Sequence, residues 1–234
     1  MMSKKIILIL IFFSCVNLLQ AQEYSFGIKA GGNYSMGGEL EAFTPTPSSI
    51  GVFEANSQFG YQAGVFFELN FGKFFVRPEV MFNVLEAEFD LPGYSSTYSI
   101  EKLNIPILFG YSVTDKIDIF AGPAYNNIMN SSLEGTNNPN TTIVVQDTPL
   151  AGQIGVKWTF LKRFELDLRY EHMLSSKQAT TYNMNSTLFT SNSGSLTRIS
   201  FDDPRLNQIM LSLSFKIGDS ESNTGRRRGR GCYF

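Results

Sequence analysis

The sequence predicts an all-β fold, an eight-stranded antiparallel up-and-down transmembrane β-barrel preceded by a cleaved signal peptide. Three observations lead there. Long segments alternate apolar and polar residues with a period of two, as in QFGYQAGVFFELNF from Gln58, which is the signature of a strand with one apolar face. Each such limb has about ten or more residues, beyond the ~5–6 of soluble strands and close to the ~9–11 that cross a bilayer. The connections between limbs alternate short and long, as in bacterial outer-membrane barrels with short periplasmic turns and long outer loops.

Composition agrees with this. The chain has 234 residues, 43% hydrophobic and 14% aromatic but only 17% charged, against roughly 25% charged in a typical soluble domain. Mean hydropathy is −0.06. That disfavours a helical membrane protein and leaves a barrel open, because barrel strands dilute their apolar face with a polar one.

Residues 1–21 read as a signal peptide. Lys4 and Lys5 precede the apolar run Ile6 to Val16, and small Ala21 offers a cleavage point. Cleavage removes two lysines and no acid, taking the formal charge from −2 to −4. FFSC at 12–15 loosely resembles a lipobox, which would make Cys15 a lipidated N-terminus; the apolar run continuing to Leu19 favours ordinary cleavage. The barrel domain is assigned to 22–218. Tyr24, Phe26, Ile28 and Ala30 set the first strand; 35–56 is a Gly/Pro/Ser loop. Strands two and three form the hairpin 58–89, turning at Gly72-Lys73, and 90–97 with Pro92-Gly93 reads as a loop. Strand four carries Leu103 to Tyr111 and strand five Ile117 to Tyr125. After the loop 127–147, strand six carries Leu150 to Phe160, and strand seven is FELDLRYEHML from Phe164. The loop 175–203 then leads to QIMLSLSFKIG from Gln208. Pro78, Pro106 and Pro123 fall inside strands and predict local bulges, since proline removes a ladder hydrogen bond and a closed barrel has no edge to place it on. Residues 219–234, with Arg226, Arg227, Arg228 and Arg230, read as a disordered basic periplasmic tail.

The segments FGIKAGGNYS (26–35), FVRPEVMFN (75–83), LNIPILFGY (103–111), IFAGPAY (119–125), LDLRYEHML (166–174) and LSLSF (211–215) resemble the small outer-membrane β-barrel family that includes PorT-like proteins. The resemblance implies an eight-stranded barrel in the outer membrane of a Gram-negative cell. PorT-like members are linked to a protein-secretion and gliding apparatus, so it also implies a role accessory to secretion. Such barrels usually end on an aromatic residue in the last strand; Phe215 holds that place, although the chain continues to Phe234.

Strand parity turns Lys29, Glu68, Arg77, Glu79, Asp118, Lys157, Glu165, Asp167, Arg169, Glu171 and Lys216 inward. An eight-stranded barrel is only wide enough for side chains to fill, and isolated buried charges are costly. The set therefore reads as a structural salt-bridge plug, with an ion path or gated opening as the alternative. A soluble calycin-like barrel would reverse the faces, with apolar residues inside and these charges outside. His172, the only histidine, shares parity with Tyr170 and points to the membrane rim. Together with Glu171, Ser175 and Ser176 it leaves a rim-located lipid-modifying enzyme as an alternative, although a nucleophile needs a base and an orienting third group within reach. Tyr34, Phe43, Phe53, Tyr94, Tyr98, Tyr182 and Phe189 fall at the outer end, either as an aromatic belt or as a binding surface for protein or glycan. Glu39, Glu41 and Glu54 make the first loop acidic. Cysteine and histidine spacings of metal sites are absent, and no cofactor is expected. The expected function is a non-enzymatic structural or interaction role. The expected contacts are outer-membrane lipid and protein partners reached through the outer loops or the Arg-rich tail, with no nucleic acid.

Overall fold

The computed structural model describes residues 23–44, 48–91, 93–136, 150–174, 181–184, 190–191, 194–203 and 205–220. The expected signal peptide, Cys15, Phe189, Ser175, Ser176, Cys232 and the arginines of the tail lie outside them. Eight long strands form the wall: β1 (Glu23–Met36), β2 (Phe59–Phe71), β3 (Phe74–Leu91), β4 (Tyr94–Ser112), β5 (Ile117–Leu133), β6 (Leu150–Leu161), β7 (Phe164–Met173) and β8 (Asn207–Asp219). Each pairs antiparallel with its chain neighbours, and β8 pairs with β1, so the ladder returns on itself.

The faces separate cleanly. On β1, Ile28 is 51% exposed and the adjacent Lys29 only 2%. Apolar side chains therefore point out and charged ones in, which removes the soluble calycin-like alternative. Outward aromatic pairs stack near the short turns, among them Phe74–Tyr111, Trp158–Phe160 and Phe164–Phe215, and Tyr34–Phe59 marks the other end. From Tyr24 to Tyr34 the ten steps span about 33 Å along the strand. That is about 25 Å along the axis at a ~40° tilt, the height of an outer-membrane apolar band.

Several boundaries differ from the sequence reading. The expected loop at 90–97 is a tight turn. β3 runs to Leu91, β4 starts at Tyr94, and Gly93 adopts φ 88°. β5 continues to Leu133, inside the expected loop 127–147. The Ser/Thr/Tyr stretch 94–97 reads as loop by composition, yet Thr and Tyr suit strands once a neighbour pairs with them. β8 passes the expected boundary at 218: Asp219 pairs with Ser25, and the Tyr24 N–H donates to the Ser220 hydroxyl.

The expected loops 35–56 and 175–203 instead hold a four-stranded sheet. The strand Glu39–Phe43 pairs with Ser49–Glu54 on one side and Arg198–Asp203 on the other, and the last pairs with Thr181–Asn183. This sheet caps the inner face of the β3–β4 extension. Leu40, Ala42, Leu85, Phe89, Tyr98, Ile199 and Phe201 are buried together there.

The prolines do not shift the register. β3–β4 pairing holds one register from Phe74↔Tyr111 to Leu91↔Tyr94 and merely skips Glu79 and Val80. Pro106 and Pro123 pair in register with Ala124 and Gly152. A proline flanked by two paired strands loses its bond without letting the ladder slip. The shifts occur instead at Phe26/Gly27, Glu101/Lys102 and Phe164/Glu165.

Candidate functional site: the closed lumen and its cap

Alternation along each wall strand brings the inward residues into one lumen, and all eleven charged residues expected there face it. Nine are at least 96% buried, and Asp118 and Lys216 stand at the edge with 13% and 17% of their side chains exposed. Arg77 is the hub. Its Nε donates to Glu79 (2.9 Å), Nη1 to Glu165 (2.7 Å) and Glu68 (3.1 Å), and Nη2 to Ser214 (3.0 Å). Lys157 lies 2.7 Å from Glu68 and 3.2 Å from Asp118. Lys29 lies 2.6 Å from Asp167, Arg169 holds Glu79 at 2.9 Å, and Lys216 holds Glu165 at 2.7 Å.

Sequence reasoning missed Lys102. It is 3% exposed and lies 2.6 Å from Glu171. It shares parity with Asn104, but the apolar alternation that marks strand four begins at Leu103. With Lys102 the lumen holds six bases and six acids, so its formal charge is zero. Glu171 is caged by four donors from three strands: Lys102 and Asn104 on β4, Gln153 on β6 and Gln208 on β8. Gln153 also accepts from Arg169, so it joins this cage to the main network.

A second pattern emerges only with the register. Each of three inward phenylalanines lies directly opposite an inward glycine: Phe66 with Gly27, Phe75 with Gly110, and Phe120 with Gly155. A Cβ on Gly110 would sit 2.0 Å from the Phe75 ring. Each ring carries a cation on its lumen side: Arg77 at 3.8 Å from Phe66, Lys157 at 4.3 Å from Phe75, and Arg169 at 4.9 Å from Phe120. The missing side chain lets the ring lie flat on the wall, and the ring's negative face then holds the cation over the lumen axis.

Above the bilayer the same inner face changes chemistry. Along β3, Arg77, Glu79 and Asn83 give way to Leu85, Ala87, Phe89 and Leu91, which the cap covers. Four residues expected as a belt or ligand surface belong to this small core. Tyr98 is buried, and Phe53, Tyr94 and Tyr182 pack against it. On the cap, Asp203 takes a two-pronged contact from Arg205, which holds its carboxyl below the usual range.

His172 projects from the outer wall, with Nδ1 3.4 Å from the Tyr170 hydroxyl, whereas Glu171 turns into the lumen. No group of three or more His, Cys, Asp or Glu among the described residues is arranged to hold a metal.

Residues 20–177 match the outer membrane protein beta-barrel domain family. No curated protein sequence matches the chain. Among solved structures, the chain is similar to the outer membrane protein OprG from Pseudomonas aeruginosa, at 15% identity and TM-score 0.48, covering 83% of this chain and 95% of that one. It is also similar to Neisserial surface protein A, at 11% identity and TM-score 0.44, covering 82% and 98%. Ail of Yersinia pestis, solved with a heparin analogue, gives 12% identity and TM-score 0.42 over 83% and 98%. The chain belongs to the outer membrane protein beta-barrel domain family and resides in the outer membrane.

Proposed function

We propose that this protein is a closed, non-enzymatic outer-membrane barrel with a structural or protein-interaction role, and that the capped outer end is its working surface. The observation that carries this reading is the charge-balanced lumen, in which every cation contacts a carboxylate. A lumen filled in this way is a scaffold rather than a path, since an eight-stranded barrel has no room beyond its own side chains. The cap and the β3–β4 hairpin carry Glu39, Glu41, Glu54, Glu86, Glu88 and Asp90, which favours a partner of basic character. The PorT-like resemblance of the sequence adds a role accessory to protein secretion. Residues 1–21 serve as the signal peptide that delivers the chain for assembly.

Purified protein in planar bilayers is expected to pass no steady current, and sustained conductance would replace this reading with a narrow channel. Lipid A from cells carrying wild type and His172→Ala is expected to be identical. A difference would establish rim chemistry at His172.

A further inference from the structure

We propose that the outer wall carries an acyl-chain groove that holds one chain of an outer-leaflet lipid. A cavity of about 780 Å³, open to the bilayer, runs obliquely across the wall from β3 to β8. Its floor is thin. Outward Ala121 presents only a methyl group, and Gly110 and Gly155 flank it as the register partners of Phe120. Both glycines have their inner sides filled by the Phe75 and Phe120 rings, so the floor is supported from within. Phe109, Tyr111, Ile154 and Tyr170 stand up as walls. Phe109 and Ile154 are 56% and 62% exposed.

The direction of the groove follows from strand tilt. A line of register partners climbs the barrel as it crosses strands, so the Phe74 end lies by the periplasmic turn at Gly72 and the Ile209 end by the outer rim. Five strand spacings make it about 24 Å long, enough to lay down a chain spanning one leaflet's ~15 Å share of the hydrocarbon core. Lys73 lies over the Tyr111 ring at the periplasmic end, and the Tyr170 hydroxyl and His172 meet at the outer end. An amphipathic lipid entering from the outer leaflet would leave its polar part there. The groove runs from the Phe74–Tyr111 pair of the inner girdle toward the outer rim, so the bilayer itself supplies what covers it. In that setting retention comes from close packing rather than from escape from water.

The test uses the full-length barrel in detergent micelles, with a brominated-acyl phosphatidylethanolamine as probe. Trp158 is the only tryptophan, and it faces outward on β6 two residues from Val156 of the groove. Wild type and Val65→Phe, a filled position elsewhere on the wall, should retain one lipid in native mass spectra and show Trp158 quenching that saturates near one lipid per barrel. Ala121→Phe should lose retention by roughly tenfold, about what ten lost close carbon contacts remove. Heat-dependent gel mobility checks that each variant is folded, and Ala121→Leu replaces Ala121→Phe if the latter does not fold. Equal retention by wild type and the filled variant would overturn the proposal. So would no retention by wild type, retention of hexadecane but not lipid, or a dimer that Ala121→Phe dissolves.

Discussion

Truncating Arg77 would leave Glu68, Glu79 and Glu165 facing one another in a lumen with no spare cation. Leaving a buried charge unpaired costs about 3–5 kcal/mol; here Glu68, Glu79 and Glu165 each keep another cation, Lys157, Arg169 and Lys216 in turn, so the loss lies toward the lower end of that range. Arg77→Ala is therefore expected to lower the heat-unfolding midpoint, read by gel mobility, far more than truncation of an outward residue such as Val65. Arg77→Lys should recover only part of the loss. A lysine keeps the charge but has no planar fork to reach Glu79, Glu165 and Ser214 at once. An unchanged midpoint in Arg77→Ala would mean that the network is not what holds the lumen together. Parity alone made Arg77 and its partners legible in the sequence, because period-two alternation sets a face without knowledge of any neighbour. The ring that supports Arg77 was not legible. Phe66 finds Gly27 only after the β1–β2 register is known, and the long expected loop 35–56 separates those strands.

The cap illustrates where local signals fail. Its central pairing joins Glu39–Phe43 to Arg198–Asp203, more than 150 residues apart, and both stretches read as loops by composition. Their alternation is short, and its apolar side, Leu40 and Ala42 against Ile199 and Phe201, becomes a core only when the two halves meet. Phe201 contacts the Phe89, Tyr98 and Tyr182 rings. Phe201→Ala should cost the cap about 3–5 kcal/mol. It should appear as faster amide exchange across Glu39–Phe43, with little change in the barrel's heat midpoint. Acid should loosen the same element. The Asp203 carboxyl is held below its ordinary value, chiefly by hydrogen bonds from Arg205. A depressed folded value stabilises fully above the unfolded carboxylate value of about 3.9, and that contribution is lost as pH falls from there through the lower folded value. Since the pair is about one-third exposed, the effect is a few tenths of a kcal/mol. Protease sensitivity of the cap should rise below about pH 4 in wild type and should be less pH-dependent in Asp203→Asn.

For the molecule as a whole, the decisive feature is that the lumen is closed twice by different chemistry. Within the bilayer it is closed by ion pairs from β1 to β8, and above it by the apolar core under the cap. The two closures share strands β3 and β4 but have different residues and different energetics, so loss of one should leave the other standing. Replacing residues 39–54 with a short glycine-containing turn would remove two cap strands and expose Leu85, Ala87 and Phe89. The ion-pair layers beneath would be untouched, because none of their charged members lies in the excised segment. The truncated barrel is expected to keep its heat-dependent gel mobility and to remain non-conducting in planar bilayers, while gaining exposed apolar surface that binds a hydrophobic dye. A steady current on removal of the cap alone would show that the ion pairs part under an applied potential. The cap would then be the gate of a channel rather than the head of a scaffold.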